Sequence, residues 1–164
     1  MENFNWTQFT KKIAIKASLK QIYDAWTIPE EIEKWFLSQA IYDRENEGSV
    51  PRNENIQEKD KYQWSWFLFD IVEEGDILEA NGIDFLKFSF AGNCRVEVKL
   101  KEVGNHVVVE LSQGNIPTDD KSKKGIRLGC DSGWSFFLLN LKSVYEGGLD
   151  LRNKNPEFIG MINN

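Results

Sequence analysis

The sequence is short of the residues that most covalent and metal chemistry requires. It has one histidine, His106, and two cysteines, Cys94 and Cys130. A base and an orienting group must both reach a nucleophile, so a single histidine at the start of a strand makes a poor relay. The two cysteines match no paired metal-ligand spacing, and a cytoplasmic chain, the expected setting here, keeps such thiols reduced. No glycine-rich phosphate loop is present. Gly129-Cys130-Asp131-Ser132-Gly133 lacks the Gly-x-Ser-x-Gly spacing and reads as a loop and helix cap. Glu73-Glu74 and Asp119-Asp120 are adjacent carboxylates, which point apart on a strand and are commonest in turns. The expectation is no catalytic residue, no metal, no cofactor and no enzymatic activity.

Other absences exclude other classes. No apolar run approaches the ~18 residues of a membrane span, and Met1-Glu2-Asn3-Phe4-Asn5-Trp6 lacks the charged-then-apolar order of a secretory signal. Basic residues number 20 against 26 acidic ones, for a net charge of −6. Phosphate recognition needs concentrated positive charge, so nucleic acid is not an expected partner. The three lysines between Lys121 and Lys124 read as a solvated loop.

What the chain has in quantity is aromatic: six Trp and eleven Phe in 164 residues. A chain this long folds as one domain, residues 1–164, and buries roughly 70% of the surface its unfolded form exposes. The segment Gly133 to Gly148 carries Trp134, Phe137, Leu138, Leu141, Val144 and Tyr145 at helical spacing, with Ser135, Asn140, Lys142 and Glu146 turned away. Asp131 or Ser132 can cap its start, and Gly147-Gly148 supplies a left-handed stop.

Upstream, Lys11 to Ala17 alternates as a first strand, Ile13 and Ile15 sharing a face. Ser18-Leu19-Lys20-Gln21 has the form of a capping box, and Thr27-Ile28-Pro29-Glu30 repeats it with proline in the first turn. Two short helices therefore follow the first strand. A strand around Ala40-Ile41-Tyr42 precedes the polar segment 44–61, read as a flap near one mouth of the domain or as a solvated loop. Then come Tyr62–Trp66, Asp76–Ala80, Phe85–Phe90, Arg95–Leu100 and His106–Leu111, each alternating and separated by short turns. That is an antiparallel meander with Lys87, Arg95, Glu97, Lys99 and Glu110 on its wet face. The fold class is α+β.

This order resembles the START-like, or Bet v 1-like, helix-grip superfamily. Within it the sequence is similar to the activators of the heat-shock-protein-90 ATPase. The matching residues are Ile15-Lys16-Ala17, Tyr23-Asp24-Ala25-Trp26-Thr27 and Ile32-Glu33-Lys34-Trp35-Phe36. Gly133-Trp134 and the run from Asn140 to Arg152 complete them. The resemblance implies a curved antiparallel sheet wrapped around the long C-terminal helix, with its core between about residues 10 and 152. It also implies a hydrophobic cavity between sheet and helix. Members resemble carriers of lipids, sterols and polyketides, others act on a chaperone, and related families are cyclases. The chaperone activators carry an additional N-terminal domain as their main grip, whereas only residues 1–10 precede the first strand here. A small apolar or aromatic molecule is therefore the expected partner, with a chaperone regulator and a cyclase-like enzyme as alternatives.

The expected ligand site draws Trp26, Trp35 and Phe36 from the short helices. Trp64, Trp66, Phe88, Phe90 and Val98 come from the strands, and Trp134, Phe137, Leu138, Leu141 and Tyr145 from the long helix. Apolar walls with few polar groups suit a hydrophobic ligand, and Tyr145 or an indole N–H could orient it. The same rings could equally fill the space themselves.

Overall fold

A computed structural model describes residues 4–164; residues 1–3, the start of the segment read as lacking a signal, lie outside the described residues. Strand β1 (Phe9–Ile15) leads into helices α1 (Leu19–Thr27) and α2 (Pro29–Ile32). Seven strands follow: β2 (Gln39–Arg44), β3 (Gly48–Ser49), β4 (Lys61–Ser65), β5 (Val72–Ala80), β6 (Phe85–Phe90), β7 (Cys94–Val103) and β8 (His106–Gly114). The chain then turns through α3 (Asp120–Ser122) and a π-helical stretch, Lys123–Leu128, into the long helix α4 (Gly129–Gly147). All neighbours in the eight-stranded sheet are antiparallel, in the order β1-β8-β7-β6-β5-β4-β2-β3.

Alternation decides which face is buried. Leu86 and Phe88 of β6, Val96 and Val98 of β7, and Val107, Val109 and Leu111 of β8 all point into the core, together with Trp134, Leu138 and Leu141 of α4. On the opposite face Glu97 pairs with Lys87 at 3.0 Å and with Lys99 at 3.4 Å, and Glu110 pairs with Lys12 at 2.6 Å. Helix α4 also runs along the free side of β1. Lys142 Nζ donates to the Ala14 carbonyl at 2.8 Å, and Glu146 accepts the Lys16 amide at 2.6 Å.

The Ser18 capping box forms, with the Gln21 amide donating to Ser18 Oγ and Gln21 Oε1 accepting the Ser18 amide. The second box does not. The Thr27 hydroxyl instead donates to the Tyr23 carbonyl at 2.7 Å, a competing bond open to any helical threonine. Ile28 precedes Pro29 as an N-cap without a side-chain bond.

Segment 44–61 is neither a loose flap nor a featureless loop. Asp60, 1% exposed, receives Arg44 through two bonds of 3.0 Å, and Val50 and Ile56 are buried. The Ile56 amide donates to the Thr27 carbonyl, and Asn55 Nδ2 donates to Thr27 Oγ1 and Asp24. Arg44 thus joins the segment's two ends through Asp60, Arg52 pairs with Glu33, and Asn55 and Ile56 tie the segment to α1.

The region read as a lysine loop and a glycine-rich cap is helical throughout, from an N-cap at Asp119 to a left-handed Gly148 (φ +75°). Asp131, expected to cap, lies inside α4 and pairs with Lys11 and Arg127. Asn140 is completely buried rather than turned to water.

Gly75 illustrates how closely the sheet is packed. It lies opposite Tyr62, whose ring is stacked on Trp64 at 3.9 Å and held by an O–H bond to the Ser89 carbonyl at 2.6 Å. A Cβ at position 75 would meet that ring at 2.6 Å. Gly75→Ala should therefore cost about 1–3 kcal/mol of stability, readable as a lower urea midpoint.

Candidate functional site

The aromatic residues divide into a solid interior and an open cleft. Trp26, Trp35, Trp64 and Phe88 are at most 1% exposed. Trp26 meets Trp35 edge-on at 4.7 Å, Trp35 stacks on Phe36 at 5.3 Å, and Trp64 meets Phe88 at 5.2 Å. Their polar edges are largely used internally: Trp35 Nε1 donates to the Ala25 carbonyl, and Trp64 Nε1 to the Tyr42 hydroxyl. Each fully buried indole contributes on the order of 4–6 kcal/mol at ~25 cal/mol per Å². That favours filling the space beneath the middle of α4 with rings.

Toward the N-terminal half of α4 the filling stops. A half-open cleft of about 430 Å³ lies between α4, the β4–β5 loop and the end of β6. Its walls are Phe36, Trp66, Phe69, Ile71, Phe90, Trp134 and Phe137, with Glu73, Ala91, Cys130 and Asn164 at its edges. Gly125, Gly129 and Gly133 line the helix side, and a Cβ built on Gly133 meets nothing within 4 Å. The absent side chains are what leave the volume open. A larger hollow of about 590 Å³ lies over β2, but its lining is half polar and includes the Glu33–Arg52 ion pair.

Of the residues expected to line a ligand site, the structure brings Phe36, Trp66, Phe90, Trp134 and Phe137 together around the cleft. Trp26, Trp35, Trp64, Phe88, Val98, Leu138 and Leu141 are buried in the core and do not line it. Tyr145 lies near the other end of α4, donating to Glu31 at 2.8 Å. Burial, and then that carboxylate, hold its phenol well above the ordinary tyrosine range. Sequence reasoning did not include Phe69, Ile71, Glu73, Cys130 or the three glycines. The glycine spacing of four, on one helical face, is the signal that could have found the last.

Several features fix the site's shape. The π-helical stretch immediately before α4 widens the backbone there, a device common at functional sites. Leu68 and Ala91, both on the rim loops, have left-handed backbones (φ +64° and +50°), and the Ala91 amide is held by Glu73 at 2.6 Å. Trp134 Nε1 donates to Gln113 at 2.9 Å, fixing the indole that forms the floor. Burial pushes the Cys130 thiol up to about 11. It is therefore a protonated, weakly nucleophilic wall at neutral pH. Among the described residues no group of three or more His, Cys, Asp or Glu could hold a metal ion.

Phe36 is placed by a clamp at the far side of α4. Asn140 Nδ2 donates to the Trp35 carbonyl at 2.7 Å and to Asp150 at 3.0 Å, while Asn140 Oδ1 accepts the Leu151 amide at 2.7 Å. Arg152 donates to the carbonyls of Leu37 and Glu33 and to both oxygens of Asp150. Burial alone would raise the Asp150 carboxyl; the bonds from Arg152, Lys154 and Asn140 outweigh it and hold the group well below the usual range.

A curved antiparallel sheet closed over a long C-terminal helix, with two short helices after the first strand, defines the helix-grip, START-like or Bet v 1-like class. Solved structures agree. The Aha1 dimer of Colwellia psychrerythraea is 21% identical, with a TM-score of 0.66 over 86% of this chain and 97% of that one. CalU16 of Micromonospora echinospora is 20% identical, with a TM-score of 0.65 over 88% and 77%. DynU16, from the dynemicin biosynthetic locus, is 14% identical, with a TM-score of 0.64 over 90% and 50%. No curated protein matches the sequence. The family model described as "Activator of Hsp90 ATPase homolog 1-like protein" matches residues 16–146, and the chain belongs to that family. Among the described residues no helix is long and apolar enough to cross a membrane.

Proposed function

We propose that the chain binds a small apolar or aromatic molecule in the cleft between α4 and the β4–β5 loop, in the cytoplasm and without covalent chemistry. The observation that carries this reading is the cleft itself: about 430 Å³ walled by aromatic rings and held open by glycines. That volume falls within the range of small-molecule pockets. Helix-grip proteins commonly bind hydrophobic ligands, which supports the same reading. So does a lining in which, among the described residues, Glu73 carries the one charged side chain.

Gly133→Leu tests it. The new side chain enters the open volume, and replacing glycine inside a helix adds about 0.5–1 kcal/mol to helix stability. The variant should stay as stable as the parent and lose at least about tenfold in affinity, or about 1.4 kcal/mol, for any ligand found by following Trp fluorescence. Unchanged affinity would move the binding site elsewhere.

A second reading, regulation of the Hsp90 ATPase, is supported by family membership. It is tested by adding the chain to its cognate chaperone and measuring ATP hydrolysis. Stimulation supports it; unchanged turnover with no complex removes it.

A further inference from the structure

We propose that the guest of this cleft is a positively charged amine with a flat aromatic or apolar body, its ammonium group directed at Glu73. The inference rests on the cleft being a binding site, and it names the chemistry of what enters.

Three observations select the charge. First, Glu73 carries the one charged side chain among the described residues of the lining, which include no lysine, arginine or histidine. Its Oε1 accepts the Ala91 amide, and neither oxygen belongs to an ion pair among the described residues. Arg152 and Lys154, which lie over Phe67 in the adjoining loop, are both paired with Asp150. A carboxylate bordering an apolar cleft without a cation attracts one from outside.

Second, the walls favour the same sign. Aromatic ring faces carry the negative part of the ring quadrupole, which attracts ammonium groups where water is excluded, and Trp66, Phe69, Phe90 and Phe137 line the cleft.

Third, the usual attraction for an anion is missing. The start of α4 borders the cleft at Gly129, and a free helix N-terminus there would favour carboxylates. The helical run instead begins at Asp120 and continues through Lys123–Leu128, and the Gly129 amide donates to the Ile126 carbonyl. The positive end of the helix therefore lies upstream, where Asp119 caps it. The net charge of −6 adds a long-range bias toward cations.

Three matched probes test the proposal at pH 7: 2-naphthylmethylammonium, 2-naphthylmethanol and 2-naphthoate. Each is titrated into the full chain while the indole and Gly133 amide resonances are followed. The ammonium should bind about tenfold more tightly than the alcohol, and the carboxylate most weakly. Glu73→Gln, which retains an acceptor for the Ala91 amide, should shrink the ammonium-to-alcohol ratio to about two- or threefold; its dispersed amide spectrum verifies the fold. Equal binding of ammonium and alcohol, a preference for the carboxylate, or a ratio unchanged in Glu73→Gln would overturn the charge preference while leaving the cleft as a site for apolar guests. Binding of none of the three would overturn both.

Discussion

Asp60→Ala should destabilise the chain by about 3–5 kcal/mol, the loss expected when one member of a buried ion pair is removed. Asp60 is 1% exposed, and the Arg44 side chain 13%. The carboxylate accepts Arg44 Nε and Nη2, each at 3.0 Å, and the Gln57 amide at 2.8 Å. Deleting it strands a guanidinium whose remaining carboxylate partners, Glu54 and Glu47, are largely exposed, and leaves an amide unpaired. The penalty belongs to the stranded charge, not to the intrinsic strength of the pair. Urea unfolding followed by Trp fluorescence measures it. A loss below about 1 kcal/mol would mean that segment 44–61 is held as an ordinary surface loop is.

Asn140→Leu, a change of similar volume, should cost about 2–5 kcal/mol. It leaves the Trp35 carbonyl and the Leu151 amide without the partners that Asn140 supplies, at about 1–3 kcal/mol for each buried group. The effect reaches the cleft, because Trp35 precedes Phe36, which stacks against Trp134 at 5.0 Å. Amide shifts should therefore appear at Phe36 and Trp134 as well as beside the mutation. A variant as stable as the parent, with shifts confined to its neighbours, would show that the clamp does not position the cleft wall.

The same asparagine shows where one-dimensional reading ends. Periodicity identified the apolar stripe of α4 and put Asn140 on the opposite face, because helical spacing sorts residues by polarity. Its partner, the Trp35 carbonyl, is 105 residues away, and only the fold brings them together. Two of the stretches that carried the resemblance, Ile32 to Phe36 and Asn140 to Arg152, are bonded to each other through Asn140 and Arg152. The motif was visible; its physical reason was not.

Strand alternation, the Ser18 box and the Gly148 stop were legible because each depends on neighbours within a few positions. Arg44 and Asp60 read only as ends of a flap or a solvated loop because nothing local reveals a partner 16 residues on. Gly129 to Gly133 read as a loop and helix cap, glycine being a poor helix former, yet the value of Gly125, Gly129 and Gly133 is the space they leave. Which rings would stack solidly and which would wall a cleft depended on that space. Trp64 and Trp66 have the same strand phase, but Trp64 is sealed under Phe88 while Trp66 borders the opening.

An open sheet has two margins where an unpaired backbone could recruit a neighbouring molecule into a growing fibril. One margin, β3, is two residues long, too short to template an extended strand. At the other, the Lys142 ammonium and the Glu146 carboxylate occupy the Ala14 carbonyl and the Lys16 amide. In a protein rich in aromatic β-strands, a short margin on one side and occupied backbone groups at the end of the other are the devices that limit such recruitment.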